Sequence, residues 1–508
     1  MGQIHNTNRL AKNTLFLYMR TLFVMAVSIY TSRIILDALG VENYGIYNVV
    51  GGFVSMFSVL SGTLTAASQR FIAFELGKSD SNVKKIFSTI LSIHFILAVI
   101  LLVLLESVGL WFLNYKMNID SSRQIAANWV FQCSAITFCV SLISIPYTAI
   151  IIAYEKMSAF AYISIFEVLA KLAAVYALYK IMLDSLIVYA VLMLLVAVVL
   201  RAIYGIYCRK SFPECKYTPS FEKRIFKEIL GFSGWNFIGS SAAILNNQGI
   251  NMLINLFFGV TLNAARGLAS QVDNAINTFV QNFMMALNPQ ITKSYAAGDF
   301  EYVNKMIILG TKFAFFLFWV ICLPVYLNTD FILGVWLKQV PDYAALFIQL
   351  GIIYNLVQNL SQCLYTTMLA TGKIKKYQII VGGLSILAFP VAWIFFEMGL
   401  PGEFGYWAMI IFAIVCLIAR LFLLQEKVPL FSCLVYLKKV IGPITFAVVP
   451  TIIIVYMLHQ FVEEASWRTF FIETSECIFL SIVNIALLGL TNDERGKLYS
   501  LVKSRIKK

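Results

Sequence analysis

Arg266, Ser270, Asp273, Asn277 and Gln281 follow one another at steps of four, three, four and four residues. At 3.6 residues per turn those steps keep to one face of a helix. Such a stripe offers a guanidinium, a carboxylate and three uncharged hydrogen-bonding groups. Arg is always charged, and its fork fits phosphate oxygens two at a time, so the chemistry it suggests is anion binding. Asn236, Ser240, Asn247, Asn251 and Asn255 make a second stripe, Asn355, Asn359, Gln362 and Thr366 a third, and Ser58, Ser61, Thr65 and Gln69 a fourth. Glu167 and Lys171 stand four apart in the order that favours an ion pair. Arg20 and Arg33 lie in an apolar stretch, about 220° apart around a straight helix, so both face one cavity only if the helix bends.

The elements that carry these residues are dictated by composition. Of 508 residues, 60% are hydrophobic and only 13% are Asp, Glu, Lys or Arg. A soluble domain carries about a quarter charged residues. Mean hydropathy is +0.80. A cytosolic enzyme, a secreted disulfide scaffold and a disordered chain are thereby excluded, leaving an all-α polytopic membrane protein. Windows of about 20 apolar residues give fourteen spans, near 14–37, 44–67, 86–113, 125–152, 159–180, 185–207, 230–258, 262–288, 306–327, 343–369, 378–398, 405–425, 440–460 and 469–490. The second and eighth are the least apolar. Inside a bilayer the charged residues above are costly, and they face a cavity or a partner.

Lys and Arg concentrate in alternate connections, which places both termini in the cytoplasm. The net charge of +13 follows from this bias, and no nucleic-acid partner is inferred. Glycosyltransferases and polymerases of membranes use a large external loop, but the longest external connection here runs only from about Asn328 to Asp342. Nine Cys include no C-x-x-C pair, and the three His have no ligand spacing, so no metal site is expected. His94 reads as a hydrogen-bonded core residue. Gly77-Lys78-Ser79 lacks the earlier glycine of a phosphate loop, a position held by Ile72. No enzymatic signature is present.

The segment Arg209–Ile229 holds Arg209, Lys210, Lys216, Lys223, Arg224 and Lys227 with two prolines, and it reads as a cytoplasmic linker. It separates an N-terminal six-helix lobe, 1–208, from a C-terminal one, 230–426, with the linker at 209–229. Two further helices and a basic tail occupy 427–508. Three places match across the lobes at nearly one offset. Gly40-Val41 matches Gly259-Val260; Gln69, Gly77, Lys84 and Ile86 match Gln290, Gly298, Lys305 and Ile307; Ala153 and Lys156 match Ala370 and Lys373. Six spans is even, so the repeats are parallel and related by an axis along the membrane normal.

At three places the chain resembles the O-antigen and capsule flippases of the multidrug/oligosaccharidyl-lipid/polysaccharide (MOP) exporter superfamily. These are Leu39-Gly-Val-Glu-Asn-Tyr-Gly45, Asn263-Ala-Ala-Arg-Gly-Leu-Ala-Ser-Gln271, and Asn288-Pro-Gln-Ile-Thr-Lys-Ser-Tyr-Ala-Ala-Gly-Asp299, whose Pro is expected at a helix end. The resemblance covers spans 1 to 12. It implies a MATE-like fold, the bacterial cytoplasmic membrane, and alternating-access translocation of a polyprenyl-diphosphate-linked oligosaccharide for surface polysaccharide. Partners implied are that substrate, membrane lipids, and a polysaccharide polymerase and glycosyltransferases. No cofactor is expected beyond a proton or sodium gradient. In related precursor flippases, arginines of helices 1, 2 and 8 line a cationic cavity, and Arg20, Arg33 and Arg266 resemble them. Helix 2 departs, having only Arg70 near its end.

The substrate cavity expected on this reading is lined by Arg266, Arg20, Arg33, Asn247, Asn251, Asn277, Gln281 and Asn359. Asp273, or Glu167 with Lys171, is the ion-coupling candidate. The polar stripes also suit a second role, as hydrogen-bonding glue between packed helices. Arg33 can pair with Asp37, Arg20 can snorkel to the interface, and Glu167–Lys171 can be a buried neutralised pair. The alternatives in function are a multidrug or cation exporter of the same superfamily, a peptidoglycan-precursor flippase, and a membrane polymerase or glycosyltransferase.

Overall fold

The computed structural model describes residues 2–496, apart from 56, 116–118, 182, 219–222, 338–339 and 461–465. All regular structure among them is helical. Helices α1 (Gly2–Ser55), α2 (Ser58–Leu76), α3 (Val83–Tyr115), α4 (Ser121–Ala153), α5 (Met157–Leu178) and α6 (Ser185–Ser211) precede the linker. After it come α7 (Lys223–Ala296), α8 (Phe300–Leu327), α9 (Ala344–Asn359), α10 (Gln362–Thr371), α11 (Lys375–Glu397), α12 (Phe404–Lys427), α13 (Cys433–His459) and α14 (Trp467–Gly489).

Nine described helices are long and apolar enough to cross a bilayer. The pair α9 and α10, bent by 40°, makes a tenth span. The other four expected spans fall in α1, α2 and α7, where polar stripes dilute the apolar run. The structure is that of a multi-pass membrane protein. Large apolar side chains stand exposed along its helices, such as Leu195, Val198 and Val199 on α6 and Ile411, Ile418 and Phe422 on α12. Such surface is stable only where lipid replaces water.

Two glycines turn single helices into hairpin arms. Gly40 in α1 has φ 73° and ψ 165°, and Gly259 in α7 has φ 82° and ψ −172°. That region is essentially closed to residues with a Cβ. A Cβ at either would meet nothing within 4 Å, so the backbone angle and not space requires glycine. These are the two positions matched by the internal repeat. A second match behaves alike: Glu155 (φ 59°) and Gly372 (φ 72°) directly precede the matched Lys156 and Lys373. The third does not. Gly77 closes α2 in the right-handed region (φ −84°), whereas Gly298 has φ 76°. Pro289 also departs from expectation. It lies inside α7, which continues to Ala296, because the helix ends only at the turn around Gly298.

The chain divides into two compact units, Arg9–Phe237 and Ile238–Lys508 with residues 1–8. In the first, α4 packs on α2, α3 and α6 around Leu105, Leu113, Val130 and Phe131, all fully buried. Asp184 fixes the start of α6 by accepting from the amides of Leu186 and Ile187 and pairing with Arg123 at 2.7 Å. In the second, α9 packs between α8 and α12, and α13 and α14 pack on each other and on α8. Lys312 of α8, 1% exposed, reaches Glu494 beyond α14 at 2.7 Å, tying that terminal segment to the unit's interior.

Candidate functional site

The polar stripe of Arg266, Ser270, Asp273 and Asn277 lines a cavity. It has a volume of about 280 Å³ and is walled by both arms of α7, the first through Ile244 and Gln248, and by α9 and α12. Arg266, Ser270, Asp273 and Asn277 come from α7, Tyr354 and Asn355 from α9, and Tyr406 and Met409 from α12. The 3.6-residue period keeps Arg266, Ser270, Asp273 and Asn277 on one side.

Arg266 is only 2% exposed. Its guanidinium carbon lies 5.0 Å from the centre of the Tyr406 ring, and Nη2 lies 3.7 Å from the Met409 sulfur. A ring face attracts a cation without neutralising it. Two turns further along α7, Asp273 lies against Gly351 of α9, where only the missing side chain leaves room. A Cβ there would fall 2.4 Å from Oδ2. Asp273 Oδ1 is buried and has no hydrogen-bond partner among the described residues. A buried carboxylate oxygen left this way invites a cation or proton.

Part of the stripe is packing glue. Asn277 donates from Nδ2 to Asn355 Oδ1 at 2.8 Å, and Asn355 donates to the Gly351 carbonyl at 2.9 Å. Eleven residues on along both helices, Thr366 donates to Asn288 Oδ1 at 2.8 Å. These two rungs hold α7 to α9 and α10. Asn277 therefore lines the cavity with its amide already engaged.

The other expected residues scatter. Gln281 is exposed and lies off the cavity wall. Asn359 is 2% exposed and is not among the lining residues. Asn251 is also absent from that wall, its Oδ1 buried without a hydrogen-bond partner among the described residues. The side chains of Asn247 and Arg33 lie outside the described residues. Asp37, the partner considered for Arg33, accepts from the Tyr179 hydroxyl at 2.8 Å.

Arg20 belongs to the other compact unit and to its own cavity, of about 340 Å³, with Ser28, Thr31, Ser164, Glu167 and Lys171. Arg20 and Arg266 each line a cavity within their own unit. Arg20 lies 4.8 Å from the Phe160 ring centre. Glu167 and Lys171 are paired at 2.6 Å, but at 33% and 46% exposure they are not a buried pair. They face the cavity, because α5 turns that side to the gap beside α1. Arg70 rests against the rings of Phe71, Phe74 and Phe232.

His94 is a core residue, its Nδ1 2.8 Å from the Ile90 carbonyl. No group of three His, Cys, Asp or Glu side chains able to hold a metal occurs among the described residues. Arg420, near the far end of α12, escaped the sequence reading. It donates to the Tyr377 hydroxyl at 3.0 Å and lines a third cavity. In sequence it lies within the twelfth apolar span with no polar stripe to single it out. Only the packing of α11 onto α12 turns it inward.

Residues 10–295 match the family of polysaccharide biosynthesis proteins. The chain belongs to this family. Its fold is shared by solved structures of membrane transporters. A multidrug-resistance MATE transporter of the MOP superfamily, in its outward-facing conformation, superposes with a TM-score of 0.70 at 13% identity, over 84% of this chain and 98% of its own. A MATE transporter of Vibrio cholerae gives 0.67 at 15%, over 83% and 97%. A MOP transporter of Pyrococcus furiosus gives 0.68 at 13%, over 82% and 96%. Such identities speak for the fold alone. No curated protein matches the chain.

Proposed function

We propose that this polysaccharide biosynthesis protein moves a polyprenyl-diphosphate-linked oligosaccharide from the inner to the outer leaflet of the bacterial cytoplasmic membrane, by alternating access. The observation that carries this reading is Arg266, a buried cation on the wall of a polar cavity within apolar spans. A diphosphate has no tolerable path through bare hydrocarbon. A fixed guanidinium in a low-dielectric cavity replaces its hydration with charge-assisted hydrogen bonds. Asp273, beside it, is the candidate for coupling to a proton or sodium gradient, and Glu167 with Lys171 serves as the equivalent candidate in the other unit. The positive-inside bias places both termini in the cytoplasm. The product would feed a polymerase and glycosyltransferases.

The test uses a strain lacking this protein. Lipid-linked oligosaccharide is extracted and quantified alongside surface polymer. Accumulation of complete lipid-linked units with loss of polymer is expected; an unchanged pool together with unchanged polymer would refute the proposal. Arg266→Ala should fail to restore export while reaching normal abundance in the membrane. Normal export by that variant would refute the phosphate-clamp role. Asp273 favours one second reading, a cation exporter of the same fold. In that case Asp273→Asn abolishes drug efflux and the lipid-linked pool is unchanged.

A further inference from the structure

The Arg420 cavity lies in the same compact unit as the Arg266 cavity and has a volume of about 210 Å³. Two backbone irregularities and one close helix approach converge on it. The span formed by α9 and α10 breaks at Leu360–Ser361, and Ser361 faces the cavity. The first turns of α11, Gln378–Gly382, are π-helical, and Gln378, Val381 and Gly382 face it too. Gly239 of α7 approaches so closely that a Cβ there would collide with the Gln378 amide at 1.9 Å. Broken spans and π-turns expose polar groups inside a membrane protein, and they recur at binding sites.

Its polar groups are unusually well supplied. Arg420 is oriented by the buried Tyr377 hydroxyl. Gln358, Gln362 and Gln378 surround it. Ser361 is 2% exposed, and its Oγ has no hydrogen-bond partner among the described residues. A buried hydroxyl lining a cavity with nothing to bond marks a place for a ligand group. Lys373, Lys375 and Lys376 immediately precede Tyr377 in sequence, and Glu426 offsets one of them by pairing with Lys376 at 2.6 Å. The neighbourhood is therefore net positive.

One hydrogen bond links the walls of the two arginine cavities. Tyr354 lines the Arg266 cavity, Gln358 lines the Arg420 cavity, and Gln358 donates to the Tyr354 hydroxyl at 2.7 Å. Along α12, Arg420 is 14 residues beyond Tyr406 and 11 beyond Met409, the two α12 residues beside Arg266. At 1.5 Å per residue this is about 16–21 Å, over half of a ~30 Å hydrocarbon core.

We propose that the Arg420 cavity is a second anion-binding station, which holds the diphosphate of the lipid-linked headgroup in the opposite half of the membrane from Arg266, with Tyr354 and Gln358 as the contact between stations. This rests on the flippase reading above. The cavity is smaller than the ~300 Å³ at which pockets enclose a drug-sized ligand, so it takes a charged group and not a whole glycan. Arg420 and Ser361 bind its oxygens and the glutamines orient it.

The test is calorimetric binding to the purified full-length protein in lipid nanodiscs, with farnesyl diphosphate and with inorganic pyrophosphate. Arg420→Gln should lose one bound equivalent of farnesyl diphosphate, or bind it about 10- to 100-fold more weakly. Arg266→Gln should lose a different one, and the double variant both. Arg420→Lys, which keeps the charge, should retain the equivalent with intermediate affinity and an unchanged melting temperature. Unaltered binding by Arg420→Gln beside a loss in Arg266→Gln overturns the second station and leaves the flippase reading standing. Loss in both Arg420 variants with a lowered melting temperature overturns it as well, since Arg420 then acts structurally. Pyrophosphate binding there without farnesyl diphosphate binding overturns the headgroup assignment in favour of free phosphate. A wild-type protein that binds neither overturns the flippase reading and this inference together.

Discussion

Replacing Gly351 with alanine drives a methyl group into the carboxylate of Asp273. The added carbon would lie 2.4 Å from Oδ2, 2.8 Å from Oδ1 and 2.9 Å from Cγ. Ordinary contact begins near 3.4 Å, so the carboxylate must retreat by about 1 Å, or α7 and α9 must part by that much. Retreat moves it out of its seat on the cavity wall, and parting stretches the Asn277–Asn355 bond. Overpacking of this kind costs about 1–3 kcal/mol. Thermal unfolding of the purified protein in micelles measures it, read across a double-mutant cycle with Asp273→Ala. Gly351→Ala should melt several degrees below wild type, and most of that penalty should vanish in the Asp273→Ala background. Equal melting of wild type and Gly351→Ala, or a penalty that persists without the carboxylate, would show that Asp273 does not rest on α9 as described.

Gly40→Ala and Gly259→Ala should each destabilise by about 1–3 kcal/mol, because both angles belong to a glycine-only region, while Gly77→Ala should cost less; melting temperatures decide. Asn355→Ala strands the Asn277 amide, and about 1–3 kcal/mol of stability should be lost by the same assay. Glu494→Ala leaves the Lys312 ammonium unpaired in the interior and should cost about 3–5 kcal/mol, more than Lys312→Met, which removes the charge as well. Glu167→Gln should barely move the melting temperature, since half-exposed pairs contribute little. If the pair serves coupling, Glu167→Gln should still reduce export.

The elements were readable because their cause is local. A bilayer demands runs of about 20 apolar residues, and composition alone marks most of them. The hairpin glycines were readable for the same reason: Gly40 and Gly259 recur at one offset, and both adopt the same backbone angles. Helical period placed Arg266, Ser270, Asp273 and Asn277 on one face, and they do line one cavity. Period could not say which of them would be engaged by a neighbour. Asn277 spends its amide on Asn355, while Arg266 is held by a ring and a thioether.

What the sequence determined by itself is the solvent, the spans, the repeat and the helix faces, since each depends on residues close together along the chain. What only the tertiary structure decided is membership of a cavity. Arg20 and Arg266 both read as intramembrane cations, and each lines a cavity within its own unit. Arg420, which no stripe marked, lines a cavity with Tyr377, Ser361 and Gln378. A cavity wall is made where distant helices meet, and the side chain that meets a given residue is chosen by packing across hundreds of positions, which no local period encodes.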